Sequence, residues 1–497
     1  MASFSFDNKT YQIPGVYGSI KVVNQVAAAP PAFNIALIIG KGDKGQPYDV
    51  VTTSPVRLYS RQNEVNDYYG ADSDIAQAFE YFKKHGGLSA YCLNASDATK
   101  GTGSLQDSGS ANVINLTAAN WGDYSASIGL TVVNGGSSVV ITITDPDDSG
   151  IRVVSGSLTT LDACVSWINE NAADYFVAVK ETAATNLPDT FTGPLFSNTS
   201  GYVAGTDPAP DSDDYDAIIA ALPDWIEEFD IRLICPVVNE SGANQHSIYQ
   251  AFRDLAISQR TAGKPVQVVC GGLTGDIDPT AGDVTDPTFR ANAYNNQDVI
   301  LVSPGIDSLD PYKSSAPAVL GLLNAHGVAH NMTRDVVVAS TLETKYSTTN
   351  LELLIDGGVL VFGFNKDGYH VKKGVNTLQA NTLNWNISTK TTYLPMQRAI
   401  ADYILKYFKD DLEQFIGADG VTKNQLAGRC ARDWDSLVKN VDPSLFGENT
   451  ADALENGLPY KTDNIVATTE GWLVNLSFVP SLETNYIGLT VQVTISY

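Results

Sequence analysis

The chain has 497 residues, 43% of them hydrophobic, and a formal net charge of −25. This length predicts two to four domains of ~100–200 residues each. Binding a nucleic-acid backbone requires a basic stripe, and none is visible, so we expect no nucleic-acid partner. No stretch approaches the ~18 apolar residues of a membrane helix, and the start lacks a basic segment followed by an apolar core. We therefore expect no membrane insertion and a cytoplasmic place of synthesis.

Five well-separated cysteines carry no metal-binding spacing and are expected to be buried thiols in a reducing compartment. The first 30 residues predict an extended N-terminal arm. They are low in charge, contain a Pro14-Gly15 turn and end near the stiff run Ala27 to Pro31, which we interpret as a hinge.

Residues 31–97 predict the first part of a core domain. An apolar strand at Ile35–Ile39 is followed by a helix at Asp74–Lys84, whose apolar residues share one face. The Gly86-Gly87 pair ends this helix, and a second strand is predicted at Ser89–Leu93.

Residues 98–205 differ in composition from the residues before them, because they begin with a Gly/Ser-rich segment and contain short runs typical of strands. We interpret them as a self-contained, mainly β domain inserted into a loop of the core domain. The predicted elements are a hairpin at Val139–Thr144 and Ile151–Ser155, a helix at Asp162–Asn171, a strand at Phe176–Val179 and a long connection at Thr182–Asp213.

Residues 206–375 alternate between helical and strand patterns, which predicts an α/β domain with a doubly wound, mostly parallel sheet. The predicted helices are 214–228, 244–261, 316–326 and 351–356, and the predicted strands are 231–236, 266–270, 299–303, 336–339 and 359–364. Residues 376–470 predict a C-terminal domain with a long amphipathic helix from Pro395 and a second helix at Lys423–Lys439.

Residues 471–497 predict a pair of strands that ends the chain. Apolar residues alternate with small or polar ones from Trp472 to Phe478 and again from Ile487 to Tyr497. The only charge in this stretch is Glu483. An uncharged edge strand is a template for pairing with another chain, so this end of the protein is expected to join a neighbour.

Three motifs could carry chemistry, and each has a plainer explanation. Gly40–Gly45 matches the spacing of a dinucleotide-binding turn, but an extended segment follows it where that motif needs a helix. His326 and His330 are spaced for a shared helix face, but no Glu or Cys ligand accompanies them, so surface or capping roles are favoured. Asp145–Gly150 begins like a calcium loop, but Gly156 stands where that loop needs Glu.

Other signals of catalysis are weak. Asp207–Asp230 holds nine carboxylates and no Lys or Arg, which is typical of a solvated linker and helix face. We find no nucleophile elbow and no phosphate-binding P-loop. The sequence thus predicts no catalytic residues, no cofactor and no metal site.

Several segments, in this order, resemble the contractile tail sheath proteins of bacteriophages and related injection machines. YQIPGVY, IIGKGDKGQP and AFEYFKKHGG resemble the N-terminal third of that family. Further elements fall in comparable places: Phe229–Pro236, the helix at Pro317–Leu323, Gly374–Leu378, the helix at Met396–Phe415 and the final strand. The resemblance spans nearly the whole chain outside residues 98–205, which resemble the family's variable, outward-facing insertion.

The resemblance implies a subtilisin-like sheath core and a structural, non-enzymatic role. Sheath subunits form a helical homopolymer of stacked rings around a tail tube protein, and meet baseplate and tail terminator proteins at its ends. Contraction by rigid-body rearrangement drives the tube through the target envelope for genome ejection. The implied location is the virion tail, or the host cytoplasm during assembly.

In this family the two terminal arms add strands to the sheets of neighbouring subunits, and hinges let the subunits move. Besides the Ala27 to Pro31 run, the segment before Gly471 is a hinge candidate. The expected inter-subunit contacts are Tyr11, Pro14, Gly15, Val16, Tyr17, Ile20, Val22, Ile487, Leu489, Val491, Val493, Ile495 and Tyr497. The alternative hypothesis is a cytoplasmic α/β enzyme that binds a small ligand or nucleotide at the Gly40–Gly45 turn.

Overall fold

The structure is a computed structural model of the chain. It describes residues 4–6, 9–11, 35–48, 55–144, 152–194, 202–239, 242–271, 279–306, 311–326, 328, 330–366, 368–378, 395–415, 420–438, 446, 458–467 and 472–478.

The described residues form a mixed α/β structure with several sheets. The helices are α1 (Gln62–Tyr69), α2 (Asp74–Lys84), α3 (Leu161–Asn171), α4 (Ser212–Phe229), α5 (Gly242–Thr261), α6 (Pro287–Tyr294), α7 (Pro311–Ala325), α8 (Thr348–Asp356), α9 (Pro395–Leu412) and α10 (Lys423–Ser436). The strands of the first half are β1 (Phe4–Phe6), β2 (Lys9–Tyr11), β3 (Ala36–Gly40), β4 (Arg57–Tyr59), β5 (Ala90–Asn94), β6 (Thr102–Gln106), β7 (Asn112–Ala118), β8 (Gly129–Asn134), β9 (Val139–Thr144) and β10 (Arg152–Val154). The remaining strands are β11 (Phe176–Lys180), β12 (Phe191–Pro194), β13 (Tyr202–Val203), β14 (Leu233–Pro236), β15 (Gln267–Gly271), β16 (Val299–Ser303), β17 (Val359–Asn365), β18 (Gly368–Lys373), β19 (Tyr460–Ala467) and β20 (Trp472–Phe478).

An eight-stranded sheet forms the centre, in the order β18-β17-β16-β15-β14-β3-β5-β4. The six inner strands run parallel, and the edge strands β18 and β4 run antiparallel to their neighbours. The mostly parallel sheet predicted from the alternating helix and strand patterns is therefore confirmed.

Both faces of this sheet are buried, as its apolar strands require. On β3, Ala36 and Ile38 belong to one hydrophobic cluster, whereas Leu37 and Ile39 belong to another. Helices α1, α2 and α7 contribute side chains to the first cluster, and α4, α5, α6 and α8 contribute to the second. The helices thus cover both faces of the sheet.

Local signals set where the main helices begin. Ser73 caps α2, because its hydroxyl accepts a hydrogen bond from the Ala76 amide at 3.2 Å. Asp211 and Asp214 form a reciprocal capping box at the start of α4. This helix buries Tyr215, Ile218, Leu222 and Ile226 while its carboxylates lie on the opposite, more exposed side, in agreement with the predicted solvated face.

Residues 102–203 build two antiparallel four-stranded sheets, β10-β9-β8-β12 and β11-β7-β6-β13, which share their own hydrophobic cluster with α3. The chain enters and leaves this region at adjacent points, where the Thr99 amide donates to the Thr206 carbonyl at 2.8 Å. Gly205 is needed at this crossing, since a Cβ there would lie 2.6 Å from the Thr99 carbonyl oxygen. These contacts let the region extend from the core without interrupting its central sheet.

Some predicted elements were wrong or incomplete. The strand predicted at 336–339 is wrong, because these residues form only an isolated bridge to β18, between Val336 and His370. Val336 and Val338 are exposed, so apolar residues there do not indicate a strand. The predicted connection Thr182–Asp213 contains the short strands β12 and β13. Helices α1 and α6 were missed, because each is short and has few apolar positions with which to show a period.

Close packing of α2 against α7 holds one helical layer in place. Gly321 lies at their crossing, where a Cβ would clash with the carbonyl oxygen of Phe82. The predicted helix at 316–326 is present as α7, but its need for glycine at this crossing depends on α2, which is more than 200 residues away in the sequence.

We predict that Gly321→Ala lowers the free energy of unfolding by about 1–3 kcal/mol, because the added methyl group overpacks the crossing. Gly428→Ala in α10 is the matched control, since no atom other than those of its chain neighbours and its own helix backbone lies within 4 Å of its Cβ position. There the helix propensity of alanine should raise stability by about 1 kcal/mol. Denaturant unfolding of both variants tests this, and equal effects would contradict a tight crossing.

Candidate assembly surface

The C-terminal helices and the last described hairpin share a small core centred on Trp434. Its indole lies 4.5 Å from the Phe408 ring and 5.1 Å from the Tyr460 ring, centroid to centroid. The indole N–H donates to the Thr462 hydroxyl at 3.3 Å. These contacts join α9, α10 and β19 into one packed unit that supports the hairpin.

The hairpin pairs β19 with β20 in antiparallel register from Tyr460–Phe478 to Ala467–Trp472, with an irregularity at Thr462–Asn464. The period-two strand predicted from Trp472 is confirmed, but its partner β19 was missed, because Lys461, Asp463 and Asn464 interrupt the apolar pattern there. Among the described residues neither β19 nor β20 has a second neighbouring strand. Within the described part of the chain the outer edge of each strand has no ladder partner, and such an edge can pair with a further strand.

The arm contacts expected from the sequence fall mostly outside the described residues. Tyr11 lies in β2 and pairs with Phe4 in the two-stranded β1–β2 sheet. The other expected contacts lie outside the described residues, as do both hinge candidates and the Asp145–Gly150 turn: Pro14, Gly15, Val16, Tyr17, Ile20, Val22, Ile487, Leu489, Val491, Val493, Ile495 and Tyr497.

A buried cluster of charges joins α9 to the central α/β structure. Arg260 of α5 makes a two-pronged ion pair with Asp298, the residue before β16, and another with Asp402 of α9 at 2.9 and 3.0 Å. Both carboxylates are buried. Burial raises the pKa of each carboxyl to about 6, although Arg260 opposes this by favouring the charged form.

A second, more open group of charges extends this junction. Lys406 of α9 lies 3.3 Å from Asp230, which also pairs with Arg232 at 2.6 Å. None of these pairs was predicted from the sequence. The partners of Arg260 and of Lys406 come from distant parts of the chain, and no local pattern indicated the pairing of Asp230 with its neighbour Arg232. The available signal was limited to the charged residues among the polar and apolar residues of the amphipathic helices α5 and α9.

The Gly40–Gly45 turn is not built to hold a phosphate. The Gly42 amide donates to the Asn94 side chain at 2.9 Å, and the amides of Asp43 and Lys44 donate to the Tyr69 carbonyl. The amides that a phosphate would need are therefore already used. Residues 46–48, which the structure describes directly after the turn, are not helical, as the sequence led us to expect.

The electrostatics of this turn also oppose an anion. Lys41 of the turn makes an ion pair with Asp207 at 3.0 Å, and Nζ of Lys44 lies 4.5 Å from the centroid of the Tyr124 ring. Burial raises the pKa of Asp43 to about 6, with further contributions from Asp207, Asp74 and Asp123, while Lys41 opposes the shift. Backbone amides that are already hydrogen-bonded, with several carboxylates close by, disfavour the nucleotide-binding hypothesis.

His326 and His330 do not share a helix face, because α7 ends at Ala325. Their rings nevertheless stack with centroids 3.8 Å apart, and Nε2 of His330 lies 2.7 Å from a carboxylate oxygen of Asp335. Nitrogen or oxygen atoms of all three side chains lie within 4.8 Å of one another. Sequence analysis missed Asp335, since only the fold of the intervening loop brings it to the histidines.

Two further features are the state of the cysteines and the composition of the helices. All five cysteines are buried thiols. None of the helices in the described part of the chain combines the length and apolar composition needed to cross a bilayer.

No protein-family model matches this sequence, and no curated protein is significantly similar to it. Solved structures are similar. A sheath tail protein from Desulfitobacterium hafniense is 16% identical, with 94% of this chain and 98% of that chain covered and a TM-score of 0.62. A sheath tail protein from Listeria innocua is 14% identical, with 91% and 96% covered and a TM-score of 0.60.

The helical sheath protein of the anti-feeding prophage in its contracted state is 12% identical, with 97% of this chain and 99% of that chain covered and a TM-score of 0.51. The chain has the fold of a tail sheath protein. The expected resemblance is therefore confirmed at the level of the fold, and the coverage includes nearly the whole chain.

We predict that Arg260→Ala lowers the free energy of unfolding by about 3–5 kcal/mol, because it leaves two buried carboxylates without their cation. Asp402→Asn is the matched variant, and it should cost less. Its amide oxygen still accepts hydrogen bonds from Arg260, and one buried charge is removed. Equal losses in the two variants, measured by denaturant unfolding at pH 7.5, would contradict this account of the junction.

The same junction predicts a dependence on pH. Because the pKa of Asp402 is raised to about 6 from an ordinary value of 3.8, the folded chain takes up protons before the unfolded chain does. This group should therefore add stability as the pH falls from 7 towards 4. Asp402→Asn should lack that contribution, so its stability relative to wild type should decline between pH 7.5 and pH 5. A constant difference over this range would contradict the raised pKa.

Proposed function

We propose that the chain is the structural, non-enzymatic subunit of a contractile tail sheath. The observation that carries the proposal is the likeness of nearly the whole chain to sheath structures, including one solved as a helical sheath. The hydrogen-bonded Gly40–Gly45 turn adds support, since the amides that a phosphate would need there are already used within the chain.

The subunits polymerise helically around a tail tube by exchanging strands. The terminal segment Ile487–Tyr497 has the alternating, uncharged pattern of a strand that pairs with another chain. The open edges of the β19–β20 hairpin are suitable acceptors. About five ladder hydrogen bonds at ~0.5–1.5 kcal/mol each, with burial of one apolar strand face, supply several kcal/mol per arm.

Contraction proceeds as a rigid-body rearrangement of subunits that stay connected by their arms. The doubly covered central sheet and the Arg260 junction support rigid movement, because both oppose deformation within a subunit. The interface is heterologous and does not close, so the same contact repeats into an open filament. The Ala27 to Pro31 run and the segment before Gly471 serve as hinges.

Each part of the chain has its own role in this assembly. Residues 1–30 and 471–497 act as arms, and residues 31–97 with 206–375 form a subtilisin-like core. Residues 376–470 form the C-terminal domain, and residues 98–205 face outward. The partners are further copies of the chain, a tail tube protein, and baseplate and tail terminator proteins. The protein is located in a virion or phage-like tail after assembly in the host cytoplasm.

We predict that Val491→Lys abolishes polymerisation, because it places a charge on the apolar face of the terminal strand. Thr494→Lys is the matched control, since it adds the same charge to the opposite face of the period-two pattern. Negative-stain microscopy of purified protein should show tubules for wild type and Thr494→Lys. Val491→Lys should give monomers with an unchanged circular dichroism spectrum.

Deletion of Ile487–Tyr497 should have the same effect as Val491→Lys. Normal tubules from the deletion variant would overturn the assignment of this arm. Failure of the wild-type protein to form any ordered polymer, alone or on tail tubes, would overturn the sheath proposal itself.

A further inference from the structure

The His326, His330 and Asp335 side chains form a cluster that the sheath role does not use. Two imidazoles and one carboxylate are a donor set typical of zinc and related divalent ions. The cluster is partly open to solvent, with His326 exposed and the side chains of His330 and Asp335 retaining 28% and 17% of their accessible surface. An ion could therefore enter and keep water as a further ligand.

Two of the three ligands are held in place by the surrounding fold. Asp335 is fixed at the sheet edge, because the Val371 amide of β18 donates to its carbonyl at 2.9 Å. Its own amide donates to the Met332 carbonyl at 3.0 Å, and Met332 is buried. Asp335 in turn holds the ring of His330 through the 2.7 Å contact. Little conformational entropy remains to be lost when these two side chains bind an ion.

The distances suit a single ion after a small adjustment. Ligand atoms around tetrahedral zinc, with bonds of about 2.0–2.2 Å, are separated by roughly 3.3–3.6 Å. The donor atoms of the cluster already lie within 4.8 Å of one another. Rotation of the exposed His326 ring out of the stacked arrangement would direct one of its nitrogens to the same point.

The electrostatic setting also favours a cation. His326 directly follows the carboxyl end of α7, where the helix dipole attracts positive charge. The Asp335 carboxylate beside the two imidazole rings adds a negative charge at the same place.

We propose that His326, His330 and Asp335 bind one divalent zinc-class ion, which ties the end of α7 to the β18 edge of the central sheet. The proposal is independent of the sheath function. It would add a metal crosslink between a helix of one covering layer and the segment that lies against the outermost strand.

The test uses full-length protein without an affinity tag, titrated at pH 7.5 with Zn²⁺ against a chromophoric chelator and with Co²⁺ by visible absorption. We expect one ion per chain, a tetrahedral Co²⁺ spectrum and a higher melting temperature with Zn²⁺. His330→Asn and Asp335→Asn should weaken binding by more than roughly 10-fold, the loss that even an outer-shell change produces.

His370→Asn is the matched control, because His370 pairs with Val336 close by but does not belong to the cluster. It should bind Zn²⁺ as wild type does. His326→Asn changes an exposed position, and so it tests the site even where Asp335→Asn impairs folding. Absence of stoichiometric binding, or equal affinity in wild type, His326→Asn and His330→Asn, would overturn the proposal and leave the 2.7 Å contact as a hydrogen bond alone.

Discussion

Burial of both faces of the central sheet is the constraint on which the rest of the structure depends. Alternate residues of β3 enter two different hydrophobic clusters, so neither face can be left open to solvent or to a partner. Helices cover both faces, and α7 approaches α2 so closely that Gly321 is required. The two faces of the sheet are therefore enclosed by the chain's own helices.

The region of residues 102–203 and the C-terminal helices are attached to the core in two physically different ways. Residues 102–203 connect through a narrow crossing at Thr99, Gly205 and Thr206, with their own hydrophobic cluster beyond it. The C-terminal helices connect through the Arg260 cluster, in which two buried carboxylates share one guanidinium. Ion pairs of this kind need one geometry, because any displacement leaves a buried charge unpaired. The proposed sheath motion is accordingly assigned to the arms and not to this junction.

Local sequence motifs were informative about backbone but not about chemistry. The Gly40–Gly45 turn follows a strand as expected, yet its amides bond to Asn94 and Tyr69. The His326 and His330 pair had the spacing of a helix face, yet the helix ends before it, and Asp335 completes the group instead. In both cases the deciding partner lies elsewhere in the chain.

The sequence by itself determined the α/β class, the parallel core and the strong helices α2, α5 and α7, because long apolar periods and capping residues act locally. It also identified the alternating strand at Trp472–Phe478. Only the tertiary structure decided that β19 is its partner, that residues 336–339 form a single bridge, and that Arg260 meets Asp402. The reason is physical: a period reports which side of an element is buried, whereas pairing and charge contacts depend on which distant element covers that side.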